Sequence, residues 1–171
     1  MLTLYSYPAP FGVADNNGRK VFAFLRRAHV QFRHNHILDA SSAPRGQLPY
    51  VVDAGETIGS DTIIAHLIRK CGLTIDDGLT DRQLDLDHLI TRMLDDLYWV
   101  MSYSRWKDER VWPLFRDALH PNLTEEGLSK AREFNFQRYY FQGIGRYEPE
   151  EAYERGLADL EVLAHLRSSD S

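Results

Sequence analysis

Apolar positions recur along this chain with two periods, and the change from one to the other falls near residue 75. Leu2-Thr3-Leu4-Tyr5-Ser6-Tyr7 is a run of strand formers that stops at Pro8 and Pro10, which predicts a first strand. A polar segment, Ala14-Asp15-Asn16-Asn17-Gly18, carries turn chemistry. Val21, Phe24, Leu25 and Ala28 then share one helical face. Residues 30–38 alternate as a second strand, with Val30, Phe32 and His34 on one side. A loop with Ser41, Ser42, Pro44 and Gly46 follows. Tyr50-Val51-Val52-Asp53 and Glu56-Thr57-Ile58 flank Ala54-Gly55, the pattern of a tight hairpin. Gly59-Ser60-Asp61 opens a helix whose seam is Ile64, Leu67, Ile68 and Cys71, and Gly72 closes it.

Residues 74–79 read as a linker around Asp76-Asp77-Gly78, and no strand pattern returns after them. Thr80 and Gln83 have the spacing of a capping box. Leu86, Leu89, Ile90, Met93, Leu94, Leu97 and Val100 form a long apolar stripe, interrupted or ended by Trp112-Pro113. A further helix is predicted from Glu125 to about Phe141 with Thr124 as its cap. The last starts at Pro149 and carries Tyr153, Leu157, Leu160 and Ala164 on one face. The expected fold class is α/β plus all-α. A thioredoxin-like βαβ-ββα domain covers residues 1–75, and an all-helical domain covers 80–171.

Composition narrows the function classes. Apolar content of 43% and charged content of 26% over 171 residues are those of a globular chain. A net charge of −5 argues against a general nucleic-acid binder. No run approaches the roughly 20 apolar residues of a spanning helix, and no secretion signal opens the chain, so a cytoplasmic location is expected. Cys71 is the sole cysteine. That excludes an internal disulfide and a dithiol oxidoreductase, and its flanks predict a buried small hydrophobe. His34-Asn35-His36 puts two imidazoles on one strand face, but no third ligand is near in sequence. A solvated or edge-strand face is expected, and no metal. Tyr139-Tyr140-Phe141 is expected in the core.

Leu48-Pro49-Tyr50-Val51 before the hairpin, with Ser60 opening the next helix, resembles the glutathione transferase superfamily. The segment from Leu97 to Trp106, LYWVMSYSRW, is similar to the metaxin and failed-axon-connections branch. So are Gln142-Gly143-Ile144-Gly145-Arg146 before Pro149-Glu150-Glu151, and Leu4-Tyr5-Ser6-Tyr7-Pro8 with Phe11-Gly12. The resemblance implies glutathione as co-substrate, with its cysteinyl backbone along Leu48 beside a cis Pro49. Its γ-glutamyl carboxylate would lie at the helix start with Ser60, where free N–H groups favour an anion, and Asp61 would compensate for the γ-glutamyl ammonium while its charge opposes a nearby carboxylate. Tyr7 or the Asp15–Asn17 turn, Asn17 foremost, would face the sulfur. A hydrophobic acceptor would pack on Tyr103, Arg105 and Trp106.

The sequence departs from the superfamily pattern in three places. Gly59 stands where Glu or Gln is usual before Ser60. No Ser, Tyr or Cys occupies residues 14–19, where the family activates its thiolate. Relatives also carry helices beyond the one ending near Leu166, so an exposed apolar patch and self-association, a homodimer for example, are expected. Two functions therefore stay open. One is a transferase conjugating glutathione to a hydrophobic electrophile. The other is a non-catalytic interaction module on the same scaffold. Ser60 as a plain N-cap, and Trp99, Tyr103 and Trp106 as plain helix packing, are the structural alternatives.

Overall fold

The computed structural model describes residues 1–8 and 16–169, the side chains of Asn16, Asn17, Ser60, Asp61 and Ser169 excepted. The chain divides into two compact units, Met1–Gly78 and Leu79–Ser171.

The first unit runs β1 (Leu2–Ser6), α1 (Asn16–Arg27), β2 (Phe32–His36), a 3-10 turn (Pro44–Gly46), β3 (Tyr50–Asp53), β4 (Glu56–Gly59) and α2 (Ser60–Cys71). The sheet order is β2-β1-β3-β4. β1 pairs parallel with β2 and antiparallel with β3, and β3 pairs antiparallel with β4. This mixed sheet is the thioredoxin-like arrangement that the alternating pattern predicts. Ala54 and Gly55 both take positive φ, 51° and 89°, as a two-residue hairpin turn matched to strand twist requires. Leu2, Leu4, Val21, Leu25, Val51, Ile58, Ile63 and Leu67 form one buried cluster. The seam of α2 is therefore Ile63 and Leu67, one step round from the predicted one. Cys71 falls off it and is exposed, which corrects its expected burial. Gly72 caps α2 in the left-handed region, its N–H bonded to the Ile68 carbonyl.

The second unit is helical: α3 (Asp81–Trp106), α4 (Trp112–Leu119), α5 (Glu125–Gln142), a 3-10 turn (Ile144–Arg146) and α6 (Pro149–Ser169). Thr80 and Gln83 form the reciprocal capping box of α3, and Thr124 caps α5. Trp112-Pro113 does not end a helix. Pro113 lies in the first turn of α4, where its missing N–H costs nothing. Leu97, Val100, Tyr103, Tyr139, Ile144 and Ala152 make one core cluster, and Phe115, Leu119 and Leu128 make another. Gly156 seats α6 on α3, because a Cβ there would lie 3.0 Å from Val100 Cγ1 and 3.1 Å from Leu97 Cδ1. The buried seam of α6 is thus Ala152 and Gly156, while Leu157 and Leu160 of the predicted face are exposed. Of Tyr139-Tyr140-Phe141, only Tyr139 is core; Tyr140 and Phe141 are exposed. Helical periodicity allows one buried position in three consecutive residues, and Tyr139 takes it. Among the described residues no helix is long and apolar enough to cross a membrane.

Candidate functional site

One end of the sheet gathers the predicted site elements. Tyr5 pairs with Tyr50, and Tyr50 pairs with Gly59. The exit of β1, the entry to β3 and the junction of β4 with α2 therefore lie at the same end. Tyr7 follows β1, Leu48-Pro49 precedes β3, and Ser60 begins α2. The Leu48–Pro49 peptide is cis. Leu48 lies outside the strand ladder, which begins at Tyr50, with its side chain buried. It joins Ala43 and Tyr50 in a small apolar cluster with Tyr5, Ile37, Ala40 and Val52. Tyr5 and Tyr50 stack with centroids 4.6 Å apart and planes 7° apart. These contacts fix the face of the sheet beside Leu48.

The start of α2 departs from the sequence expectation in its cap. Gly59, with φ −83° and ψ 167°, is the N-cap, and Ser60 is the first helical residue. The Ser60 and Asp61 side chains lie outside the described residues, as does the Asn17 side chain and all of Asp15. Gly59 owes its identity to crowding: a Cβ there would lie 3.1 Å from Pro44 Cβ and 3.4 Å from an Arg45 guanidinium nitrogen. The 3-10 turn thus packs against Gly59 and brings Arg45 to the α2 N-terminus. Sequence reading missed Arg45. Its only signal was position, four residues before Pro49, and its φ of 59° is invisible in sequence.

Polar groups surround the exit of β1. Ser6 is fully buried, and its Oγ donates to the Tyr7 carbonyl at 3.2 Å. The same Oγ lies 2.8 Å from His34 Nε2. His36 Nδ1 lies 3.0 Å from the Tyr7 carbonyl, and the two imidazole centroids are 4.2 Å apart. His34 also packs on Phe22, at 5.4 Å. The two histidines lie on the edge strand, as expected; His36 is exposed, and His34 is half-buried and hydrogen-bonded. Among the described residues no group of three His, Cys, Asp or Glu could hold a metal.

At the far end of β3, Asp53 is buried and accepts from Lys70 Nζ and, at 3.1 Å, from His66 Nε2. The Lys70 ammonium, and then His66, hold its carboxyl below the usual range, against the opposing effect of burial. This anchors the last turns of α2 to the hairpin.

The predicted acceptor residues lie in the second unit. Tyr103 is 1% exposed, and its hydroxyl donates to the Tyr147 carbonyl at 2.9 Å, so it is a core tyrosine. Trp106 stacks on Trp112 at 5.6 Å and meets Phe115 edge-on at 5.1 Å. The Arg105 guanidinium lies 5.8 Å from the Phe115 centroid. Tyr103 packs with Tyr139 and Tyr153, Trp99 and Trp106 pack on the same cluster, and Trp106 reaches on to α4.

The family profile described as glutathione S-transferase N-terminal domain matches residues 17–111, over half the chain. The isoprene-epoxide–glutathione S-transferase of Rhodococcus sp. (strain AD45) is 31% identical, over 96% of this chain and 75% of that protein. Among solved structures, the β-etherase LigF of Sphingobium sp. strain SYK-6 matches in fold, with TM-score 0.53 and 17% identity. That match covers 94% of this chain and 69% of the other. Prostaglandin synthase D of Nilaparvata lugens aligns with TM-score 0.43 and 20% identity, covering 98% and 83%. The chain belongs to the glutathione S-transferase family, and its four-stranded mixed sheet followed by helices is that family's fold.

Proposed function

We propose that the protein binds glutathione at this end of the sheet and conjugates it to a hydrophobic electrophile. The observation that carries the reading is the alignment of Tyr7, cis Leu48–Pro49 and the α2 N-terminus at one sheet end. An extended peptide pairs its backbone with Leu48, just outside the β3 ladder. Its γ-glutamyl carboxylate meets the N–H groups at the positive dipole end of α2. Ser60 contributes a hydroxyl, and the Arg45 guanidinium adds positive charge from the neighbouring turn. The cysteinyl sulfur then faces Tyr7 and the start of α1 at Asn16-Asn17. A phenol or amide donor there stabilises the thiolate over the thiol, which is the form that attacks.

An epoxide is the first electrophile to test, because the curated relative is named for one. Sulfur forms a bond to a ring carbon, the ring C–O bond breaks, and the alkoxide takes a proton. A second reading is a non-catalytic interaction module of metaxin-like type. It is favoured by the absence of Ser, Tyr and Cys from residues 14–19.

Retention on immobilised glutathione, followed by conjugation to an epoxide and to an activated aryl halide, tests the proposal. Binding with turnover, reduced in Ser60→Ala and Tyr7→Phe, is the expected result. Binding without turnover supports the interaction module. Failure to bind, with Ser60→Ala indistinguishable from the parent, refutes the enzyme reading.

A further inference from the structure

The exit of β1 carries a hydrogen-bond network whose proton positions follow from its acceptors. A carbonyl oxygen only accepts, so His36, with Nδ1 3.0 Å from the Tyr7 oxygen, must carry its proton on Nδ1. Ser6 donates its hydroxyl proton to the same oxygen. Its Oγ, 2.8 Å from His34, is then left to accept from Nε2–H of that ring. The two imidazoles, 4.2 Å apart on one face of β2, thus hold opposite tautomers and converge on one peptide oxygen. Ser6 is fully buried, and His34 is half-buried against Phe22, so the inner half of the network is fixed by packing. His36 is exposed. Its bond to the Tyr7 carbonyl reaches the backbone where β1 hands over to the segment leading to α1.

We infer that Ser6, His34 and His36 are positioning residues, which fix the Tyr7 peptide and thereby aim the Tyr7 phenol at the sulfur of bound glutathione. The inference rests on the proposed function. Two donors on one carbonyl set the orientation of the Tyr7–Pro8 peptide, and that backbone limits the rotamers open to the Tyr7 side chain. A misplacement of about 1 Å in such a group costs up to roughly a hundredfold in rate. Glutathione itself is held elsewhere, by Leu48 and α2, so the loss falls on kcat and not on KM.

The two tautomers make the test specific. The Asn side-chain nitrogen sits where His Nδ1 sits, and the Gln nitrogen reaches the place of His Nε2. His36→Asn and His34→Gln therefore keep their donors, while His36→Gln and His34→Asn lose them. With the full chain, glutathione and an activated aryl halide, His36→Gln and His34→Asn lower kcat about tenfold, with KM for glutathione unchanged within about twofold. His36→Asn and His34→Gln recover kcat to within about threefold of the parent by the same reasoning. Long-range nitrogen–proton NMR of the parent shows His36 protonated on Nδ1 and His34 on Nε2. Equal kcat for the Asn and Gln variants at both positions overturns the inference while leaving the proposed function intact. So does a His36 ring protonated on Nε2 alone. A parent that forms no conjugate overturns the proposed function, and the positioning role with it.

Discussion

Removing the carboxylate of Asp108 should unfasten α6 from the connection between α3 and α4. Asp108 is 3% exposed, and every donor around it is close. Its Oδ2 accepts from the Tyr153 hydroxyl at 2.6 Å and from Arg110 Nη2 at 2.7 Å. Its Oδ1 accepts from the Arg110 amide and from Arg110 Nε, each at 2.9 Å. Arg110 is 60% exposed and solvent screens it, so its ion pair is discounted. The Tyr153 phenol and the Arg110 amide remain, each worth about 1.5–3 kcal/mol as a hydrogen bond to a charged group. Together they give about 3–6 kcal/mol, so Asp108→Ala should cost about 3–5 kcal/mol, the range for breaking a buried charged contact. Tyr153→Phe should cost about 2 kcal/mol, because Asp108 keeps its other donors. Urea denaturation of the parent, both single variants and the double variant closes the cycle. The expected coupling is about 1.5–3 kcal/mol. A coupling below about 0.5 kcal/mol would refute the reasoning, since independent sites add to within that margin.

The same cluster sets a pH dependence with a definite sign. Arg110, and after it the Tyr153 phenol, bond the charged form of Asp108 and hold its carboxyl far below the usual range despite burial. The unfolded carboxyl titrates near about 3.9, so the stabilisation is complete above that value and fades as pH falls toward the folded one. Burial, and then the bond to Asp108, push the Tyr153 phenol above its usual range. Its contribution is therefore complete below about pH 10 and is lost only at higher pH.

Three further outcomes follow from other contacts. Asp53→Ala should cost about 1.5–3 kcal/mol, the worth of the His66 hydrogen bond to a charged group, because Lys70 is 47% exposed and regains water; a loss under about 1 kcal/mol in urea denaturation would contradict the contact geometry. Because the Asp53 carboxyl is lowered, parent and Asp53→Asn should converge in stability as pH falls through the carboxylate range, and a gap that widens there would reverse the argument. Gly156→Val adds its side chain from a Cβ already 3.0 Å from Val100, and should cost about 1–3 kcal/mol by overpacking; unchanged stability would mean that α3 and α6 are not seated as described.

Much of the fold was legible because the local signals agreed with the tertiary structure. The Ala54-Gly55 turn, the Gly72 cap, the Thr80–Gln83 box and Pro149 at a helix start are short-range chemistry, and each stands where the sequence placed it. Seams were less legible. The i, i+3, i+4 pattern of α2 fits two adjacent faces, and only packing on β1 and β3 selects Ile63 and Leu67 over Cys71. In α6 a glycine marks the buried face, which apolar counting passes over. The site was legible at Leu48–Pro49, where proline limits the backbone, and illegible at Arg45 and His34. Those two come into place through a positive φ and a cross-strand pairing, both of which are tertiary facts.

The most direct test of the central claim is the ionisation of the glutathione thiol when bound. Its thiolate absorbance is followed against pH in the presence of the protein, with the sulfur-free analogue as control. An aimed donor at Tyr7 predicts a thiol titrating at least one unit below the value of about 8.5 for a free thiol. The shift should shrink in Tyr7→Phe and in His36→Gln. A bound thiol that titrates as it does in water, or no binding at millimolar glutathione, would contradict the account.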